Sequence, residues 1–247
     1  MAKLNKSPKI SIIIPTKNEA NYIEKTIKQY LPYKKKHGLE IIIADGGSTD
    51  KTVAIARKHA DVVVLPNLSR KQNIAIGRNA GAKHARGEIL FHTDADVIIP
   101  NKNKFFKRII KEFEKNHIVA TTTKLQIYPW EEKLRDKVFH HGMNGLIQMT
   151  SKFSNLLGKG ECQIVRASTF RKIGGYNEAI IVGEDCNLFY RLGKLGKISY
   201  LKDTTIYHSP RRFRKNGYTK TLFSYLRESF SLAILGRSSV DVWEEAR

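Results

Sequence analysis

The chain has 247 residues, of which 41% are hydrophobic, and its 44 basic and 23 acidic side chains give a net charge of +21. This length and apolar content exclude a disordered chain and are ordinary for one α/β domain. The charge indicates a polyanionic partner (nucleic acid, nucleotide phosphates or an anionic membrane surface), although a solvated lysine-rich surface explains many of the lysines equally well.

Strand and helix patterns alternate four times in the first half of the chain. Continuous apolar runs predict buried strands, and apolar residues at helical spacing predict the helices between them. The predicted strands are 10–14, 40–44, 62–65 and 89–93, and the predicted helices are about 23–31, 52–59, 72–85 and 105–113. This alternation predicts βαβ units in a mostly parallel sheet with helices on both faces.

The alternation loosens after Lys115. The predicted elements here are one or two helices over 134–157, a helix at 188–195, short strands at 198–201 and 205–207, and an amphipathic helix at 218–235. The chain shows no repeat and no linker, so we expect one domain over 1–247. Its nucleotide-binding half spans about 9–115 and its acceptor half about 116–215.

Asp94 and Asp96 follow the fourth predicted strand. Two residues apart on an extended segment, their carboxylates point the same way, at the strand end where open α/β sheets bind ligands. Such a pair suits a hard divalent cation that shares its ligands with phosphate. Solvated turns also produce this pattern, so the interpretation depends on the motifs around it.

The chain resembles glycosyltransferase family 2 from about residue 9 to residue 215. The matching motifs are Ser11–Glu19, Ala44–Asp50, Arg78–Gly81 with Ala85–Glu88, Asp94–Asp96, Gly174–Glu178 and Gly183–Asp185. Each is weak alone, but their order and spacing together are specific. The resemblance implies a Rossmann-like GT-A fold. It also implies metal-dependent, inverting transfer of a sugar from a nucleoside diphosphate, with UDP favoured.

The resemblance also implies a nucleotide-sugar site. It includes Pro15, Thr16, Lys17 and Glu19 in the loop after the first strand, with Glu19 accepting hydrogen bonds from ribose hydroxyls. Ala95 and Asp94 belong to the same site. Asp45 would accept the N–H of the base, and the alternative is a carboxylate that caps the next helix. The family often has a second Asp where this chain has Gly46, so the choice between uracil and guanine stays open.

Four arginines are further candidates for the donor site. Arg70 and Arg78 lie in the segment that runs under the nucleotide in the family, and guanidinium groups suit bidentate phosphate contacts. Arg211 and Arg214 lie in a basic loop that would close over the diphosphate as a lid. The alternatives are a solvated basic face for the first pair and an anionic-surface patch for the second.

The resemblance implies a divalent metal, Mn²⁺ or Mg²⁺. Asp96 is the expected direct ligand, and Asp94 would hold ribose or a metal-bound water. His208 would complete the shell, which would favour Mn²⁺, although a lone histidine is more often structural.

Glu184 and Asp185 occupy the position of the family's catalytic acidic pair. The resemblance implies that Asp185 is the general base and that Glu184 supports it. Acidic residues in the first turn of a helix also complement the helix dipole, which is the structural alternative.

The acceptor is left open by the sequence. We expect a lipid-linked or glycan hydroxyl, with a polyprenyl (dolichyl) phosphate as the alternative. A sugar nucleotidyltransferase and a nucleic-acid-binding protein are weaker alternatives, and we expect no nucleic acid partner. The helix at 218–235 suits either a membrane interface or packing on the core.

The expected location is the cytoplasm, with peripheral contact at the cytoplasmic face of an anionic membrane. The two cysteines form no CxxC motif and indicate reduced thiols. No signal peptide is recognised, and no run reaches the roughly 18 apolar residues of a spanning helix.

Overall fold

The computed structural model describes residues 8–153, 158–235 and 238–240. These residues form a seven-stranded sheet in the order β3-β2-β1-β4-β6-β5-β7. The strands are β1 Ile10–Thr16, β2 Leu39–Asp45, β3 Val62–Val64, β4 Ile89–His92, β5 Ile118–Ile127, β6 Gln163–Arg166 and β7 Lys197–His208. All run in one direction except β6, which is antiparallel to both of its neighbours.

Helices connect the strands and cover both faces of the sheet. They are α1 Ala20–Lys28, α2 Lys34–His37, α3 Thr52–His59, α4 Ile74–His84, α5 Lys102–Phe113, α6 Leu134–Phe153, α7 Ala167–Lys172, α8 Glu184–Gly193, α9 Arg211–Asn216 and α10 Tyr218–Leu235. The predicted alternation of strands and helices over the first half is confirmed. The mostly parallel α/β sheet is also confirmed.

The side chains of β1 alternate between two apolar layers, as the pleat of a strand requires. Ile12 packs in one buried cluster with Ile23 of α1 and Phe105 of α5. Ile13 faces the opposite layer, where it clusters with Ala82 of α4. This alternation fixes the register of the central strand, because a slip of one residue would exchange the two layers.

Gly81 allows α4 to lie directly on β1. A Cβ added at Gly81 would come within 2.6 Å of Ile13 Cγ2. We therefore expect Gly81→Ala to lower the free energy of unfolding by about 1–3 kcal/mol, the usual cost of overpacking a core. The matched control is Gly142→Ala in α6, where an added Cβ meets nothing within 4 Å. It should instead raise stability by about 0.5–1 kcal/mol through helix propensity. Urea unfolding of both variants measures the difference, and equal effects would contradict the packing argument.

The second half differs from the sequence prediction in three places. β5, β6 and α7 were not predicted. β7 is one strand, not two short ones, and its pairing with β5 shifts register between Thr123 and Lys124. The basic segment after His208 forms the short helix α9 where the sequence predicted a loop.

The carboxyl ends of the parallel strands meet at one edge of the sheet. Because β6 runs the other way, the loop that precedes it, 158–162, lies at this same edge. Loops from both halves of the chain therefore converge where open α/β sheets bind their ligands.

Two helices of the second half expose apolar side chains. They are Leu134, Val138, Leu146 and Met149 on α6, and Leu222 and Phe223 on α10. Within the described residues, no helix combines the length and the apolar content needed to cross a membrane. Helix α10 has the predicted bounds. Four residues of its predicted apolar stripe have side chains that are not among those the structure describes: Leu226, Phe230, Ala233 and Ile234.

Candidate active site

A cavity of about 710 Å³ opens at the carboxyl edge of the sheet. Twelve of the predicted site residues line it: Pro15, Thr16, Lys17, Glu19, Arg78, Asp94, Ala95, Asp96, Glu184, Asp185, His208 and Arg211. Residues that are more than 170 positions apart in sequence thus share one cavity. Asp45, Arg70 and Arg214 are not part of its lining.

The acidic segment that follows β4 is a turn held from both sides. β4 ends at His92, so Asp94 and Asp96 lie beyond the strand rather than on it. The hydroxyl of Thr26 donates to the carbonyl of Ala95 at 2.5 Å, and the hydroxyl of Tyr128 donates to the carbonyl of Asp96. These two bonds fix the backbone from which both carboxylates project.

Arg211 connects this turn to the loop after β1. Its guanidinium forms a bidentate ion pair with Glu19 at 2.9 and 3.0 Å, and its Nε lies 3.2 Å from Asp96 Oδ2. Burial nevertheless raises the pKa of Asp96 to about 7, against the opposing effect of Arg211. The carboxylates of Glu19, Asp94 and Glu161 add to this increase. Burial and the neighbouring carboxylates therefore both disfavour the charged form of Asp96.

The residues at Asp96 fit a divalent cation that is shared with a ligand. His208, at the end of β7, lines the same cavity, and its buried Nε2 has no hydrogen-bond partner among the described residues. Burial lowers the pKa of His208 to about 3, so the ring is neutral and able to coordinate a metal. Over the described ranges, no three His, Cys, Asp or Glu side chains group as a metal site. A magnesium ion is commonly held by one or two protein carboxylates together with substrate phosphates.

Arg78 is fully buried and forms an ion pair with one member of each acidic pair, Asp94 of Asp94/Asp96 and Glu184 of Glu184/Asp185. Its Nη2 donates to Asp94 Oδ1 at 3.1 Å and to the carbonyl of Gly160 at 2.9 Å, and its Nη1 donates to Glu184 Oε1 at 2.7 Å. The guanidinium also lies over the ring of Tyr176. Both terminal nitrogens are therefore engaged by the protein, and Arg78 positions Asp94 relative to Glu184.

Glu184 and Asp185 begin α8 after Gly183, which adopts a φ of 83° that favours glycine. Asp185 Oδ1 accepts from the backbone N–H of Cys186 at 2.8 Å. Burial raises the pKa of Asp185 and raises that of Glu184 to about 7, each in spite of Arg78. A carboxylate with a raised pKa is a stronger base than an ordinary aspartate.

Asp45 is committed to the turn that follows β2. Its Oδ1 accepts from the backbone N–H groups of Gly47 and Ser48 at 2.9 and 2.8 Å, and its Oδ2 accepts from the hydroxyls of Ser48 and Thr16. Asp45 therefore holds this turn, and it does not cap helix α3, which begins at Thr52.

Arg70 and Arg214 are engaged elsewhere. Arg70 forms an ion pair with Glu178 at 2.9 Å. Arg214, on α9, pairs through both of its terminal nitrogens with the fully buried Asp136 at 2.5 and 2.8 Å. The second pair fastens α9 to α6, whereas Arg211 of the same helix contacts the acidic turn.

The structure also brings to the cavity polar residues that the sequence analysis missed, among them His140 on α6 and Lys159 before β6. Both are more than nine-tenths buried. The Gly158-Lys159-Gly160-Glu161 segment was an available signal, because glycines flanking a charged residue often mark a loop that approaches a ligand closely.

Two solved structures illustrate the fold that this chain shares with known proteins. The Pyrobaculum calidifontis mannosyltransferase PcManGT, in complex with GDP-Man and Mn²⁺, matches with a TM-score of 0.69 and 19% identity over 93% of this chain and 65% of that one. Staphylococcus aureus TarS 1–349 with UDP-GlcNAc matches with a TM-score of 0.63 and 18% identity over 94% and 68%. The fold is therefore that of the GT-A glycosyltransferases.

The chain belongs to glycosyl transferase family 2, whose profile matches residues 11–174. Succinoglycan biosynthesis protein ExoA of Rhizobium meliloti is 29% identical over 202 residues, which are 78% of this chain and 61% of that protein. A Methanococcus voltae dolichyl N-acetyl-glucosaminyl phosphate glucuronosyltransferase is 37% identical over 42% of this chain and 35% of its own length. The chain thus spans about three fifths or less of these relatives.

Proposed function

We propose that the chain transfers a sugar, with inversion, from a nucleoside diphosphate sugar to the hydroxyl of a lipid-linked or glycan acceptor. The observation that supports this most is the convergence of Asp96, Glu19 and Asp185 on one cavity at the carboxyl edge of the sheet. The residues of the 9–115 half would hold the donor, and those of the 116–215 half the acceptor.

The donor would lie against the loop from Pro15 to Glu19 and the turn at Asp94–Asp96. Glu19 would accept from ribose hydroxyls, and Lys17 would face the phosphates. UDP is the favoured nucleotide, and the structural neighbours include complexes with UDP-GlcNAc and with GDP-Man. Asp45, Arg70 and Arg214 are left out of the proposed donor site because they do not line the cavity.

Asp96 and His208 would hold Mn²⁺ or Mg²⁺, and the PcManGT complex contains Mn²⁺. When bound, the cation supplies positive charge that stabilises the departing nucleoside diphosphate. Arg211 lies at the same carboxylate and would turn toward the diphosphate, which would give α9 its role as a lid.

Asp185 would remove the proton from the acceptor hydroxyl as the hydroxyl oxygen attacks the anomeric carbon from the face opposite the diphosphate. The raised pKa of Asp185 suits this role, because a base that binds the proton more strongly favours its transfer. Glu184, held by Arg78, would keep the base in place.

Thermal stabilisation by ligand tests the donor class. We expect UDP with Mn²⁺ to raise the melting temperature more than UDP with EDTA, since a ligand that binds only the native state stabilises it. Duplex DNA and single-stranded RNA are the comparison. If nucleic acid stabilises the protein and UDP with Mn²⁺ does not, the proposal is wrong.

We propose that the protein works in peripheral contact with the cytoplasmic face of a membrane and does not insert into the bilayer. The motivating features are the net charge of +21 and the exposed Phe223 on α10. We expect the protein to sediment with anionic liposomes in low salt and to be released at about 1 M salt, where the screening length falls to about 3 Å. Phe223→Ser should weaken binding. Leu195→Ser, a change at an exposed apolar residue beside the opposite edge of the sheet, should not. Equal sedimentation with neutral and anionic liposomes would count against this setting.

A further inference from the structure

The acceptor side of the cavity contains buried polar groups without adequate partners. Lys159 is 8% exposed, and among the described residues its Nζ bonds the amide oxygen of Asn144 at 3.1 Å and forms no ion pair. His140 is 3% exposed, and neither of its ring nitrogens has a hydrogen-bond partner in the described part of the chain. Buried groups of this kind are costly unless a ligand satisfies them.

Asn144 is itself fixed, so Lys159 is held in place. The amide of Asn144 bonds the backbone N–H and the carbonyl of Leu125 on β5 at 3.1 and 2.9 Å. The lysine ammonium keeps donor capacity beyond this single neutral acceptor. A buried cation with unused donors is a binding group for an anion, and phosphate is the anion best matched to several donors.

Apolar side chains surround these groups. Phe139, Met143 and Ile147 of α6 line the cavity beside His140, together with Phe213 of α9. The exposed Val138 and Leu146 continue the apolar character of α6 outside the cavity. A ligand that matches this side of the cavity has an anionic head group for Lys159 and a long apolar chain for the side chains of α6.

The loop that carries Lys159 lies directly against the proposed base. A Cβ added at Gly158 would come within 2.7 Å of the carbonyl oxygen of Asp185, and one at Gly160 would lie 3.7 Å from Asp185 Oδ2. A ligand held by Lys159 would therefore lie next to the position where the acceptor must react.

We propose that Lys159 and His140 form an anion subsite for the phosphate of a lipid-linked acceptor, a sugar joined through phosphate to an apolar chain that lies along α6. This rests on the proposed function for its acceptor role and deepens it by naming the acceptor class. The phosphate binds Lys159 and His140 and so anchors the acceptor. Asp185 accepts the proton of the sugar hydroxyl that attacks the donor.

Equilibrium binding of farnesyl phosphate, followed by calorimetry in the presence of saturating UDP and Mn²⁺, tests the subsite. Farnesol supplies the chain without the charge, and inorganic phosphate supplies the charge without the chain. We expect farnesyl phosphate to bind about 10- to 100-fold more tightly than either, the range for a hydrogen bond to a charged group. Tight binding of inorganic phosphate alone would assign the site to a free anion, and equal binding of farnesol would assign it to the chain. Either result would overturn the proposal, as would farnesyl phosphate that binds without UDP but not with saturating UDP.

Three variants separate the subsite from general charge effects. Lys159→Met should weaken farnesyl phosphate binding about 10- to 100-fold while leaving UDP binding intact. Lys137→Met, at an exposed lysine on the same helix as His140, should change neither. His140→Leu should weaken farnesyl phosphate binding about 2- to 10-fold and leave the melting temperature equal or higher, because it removes two unpartnered nitrogens. Wild-type affinity in both Lys159→Met and His140→Leu would overturn the subsite. Failure of UDP to bind while farnesyl phosphate binds would overturn the donor proposal instead.

Discussion

Replacing Asp185 by Asn is expected to lower kcat for sugar transfer by about 10²–10⁴-fold, because a positioned general base contributes this much. Asn preserves the shape of the side chain and an oxygen that accepts from the N–H of Cys186. The fold and donor binding should therefore survive. Single-turnover transfer to the acceptor hydroxyl measures the loss directly.

The pH profile provides the control for this assignment. The base acts only when deprotonated, and burial raises the pKa of both Glu184 and Asp185 above their ordinary values. The kcat of the wild type should therefore fall on acidification at a higher pH than an ordinary aspartate would give, and this limb should be altered in Asp185→Asn. Asp203→Asn, at a carboxylate that is about half exposed on β7, is the matched substitution and should leave kcat unchanged. Near-normal transfer by Asp185→Asn would show that the base is wrongly assigned. An acceptor that attacks through its phosphate oxygen, which needs no base, would then be the better interpretation.

Replacing Asp96 by Ala is expected to reduce transfer about 10²–10³-fold or more, the usual cost of removing a group that stabilises the charge of a transition state. The same change should remove the metal dependence of UDP binding in calorimetry. Arg211 retains its bidentate pair with Glu19 in this variant, so the loop after β1 should keep its position.

Two comparisons make the Asp96 result specific. The far-ultraviolet circular dichroism of Asp96→Ala should match that of the wild type, which excludes unfolding as the cause. Asp203→Ala, which removes a carboxylate paired with Arg108 at 3.3 Å on the surface, should bind UDP and metal normally. Metal-dependent UDP binding that persists in Asp96→Ala would remove Asp96 from the metal site.

The first half of the fold was predictable because its strands contain continuous apolar runs, such as 12–14 in β1 and 41–44 in β2. β5 was missed because three buried threonines interrupt its apolar residues. Thr121, Thr122 and Thr123 are at most 1% exposed, and each hydroxyl donates to a backbone carbonyl of a neighbouring strand or of the adjoining loop. Satisfied threonines can be buried at little cost, but they interrupt the apolar run by which a buried strand is recognised. β6 has only four residues, too few for a period to be visible.

The cavity residues were predictable where a motif places them at the end of a strand. The partners of Arg78 were not, since Asp94 and Glu184 lie 16 and 106 residues away from it in sequence. Motif spacing identifies which residues approach the site, but it does not show which neighbours engage their charges. The same limitation applies to Asp45, whose contacts with the turn emerged only from the structure.

The central claim is tested most directly by a panel of nucleotide sugars assayed for release of the nucleoside diphosphate with Mn²⁺, with Mg²⁺ and with EDTA. The proposed donor site predicts turnover of at least one UDP-sugar with a divalent cation, no turnover in EDTA, and recovery when the metal is restored. Unchanged turnover in EDTA, or no turnover of any nucleotide sugar by protein that binds UDP, would contradict the account.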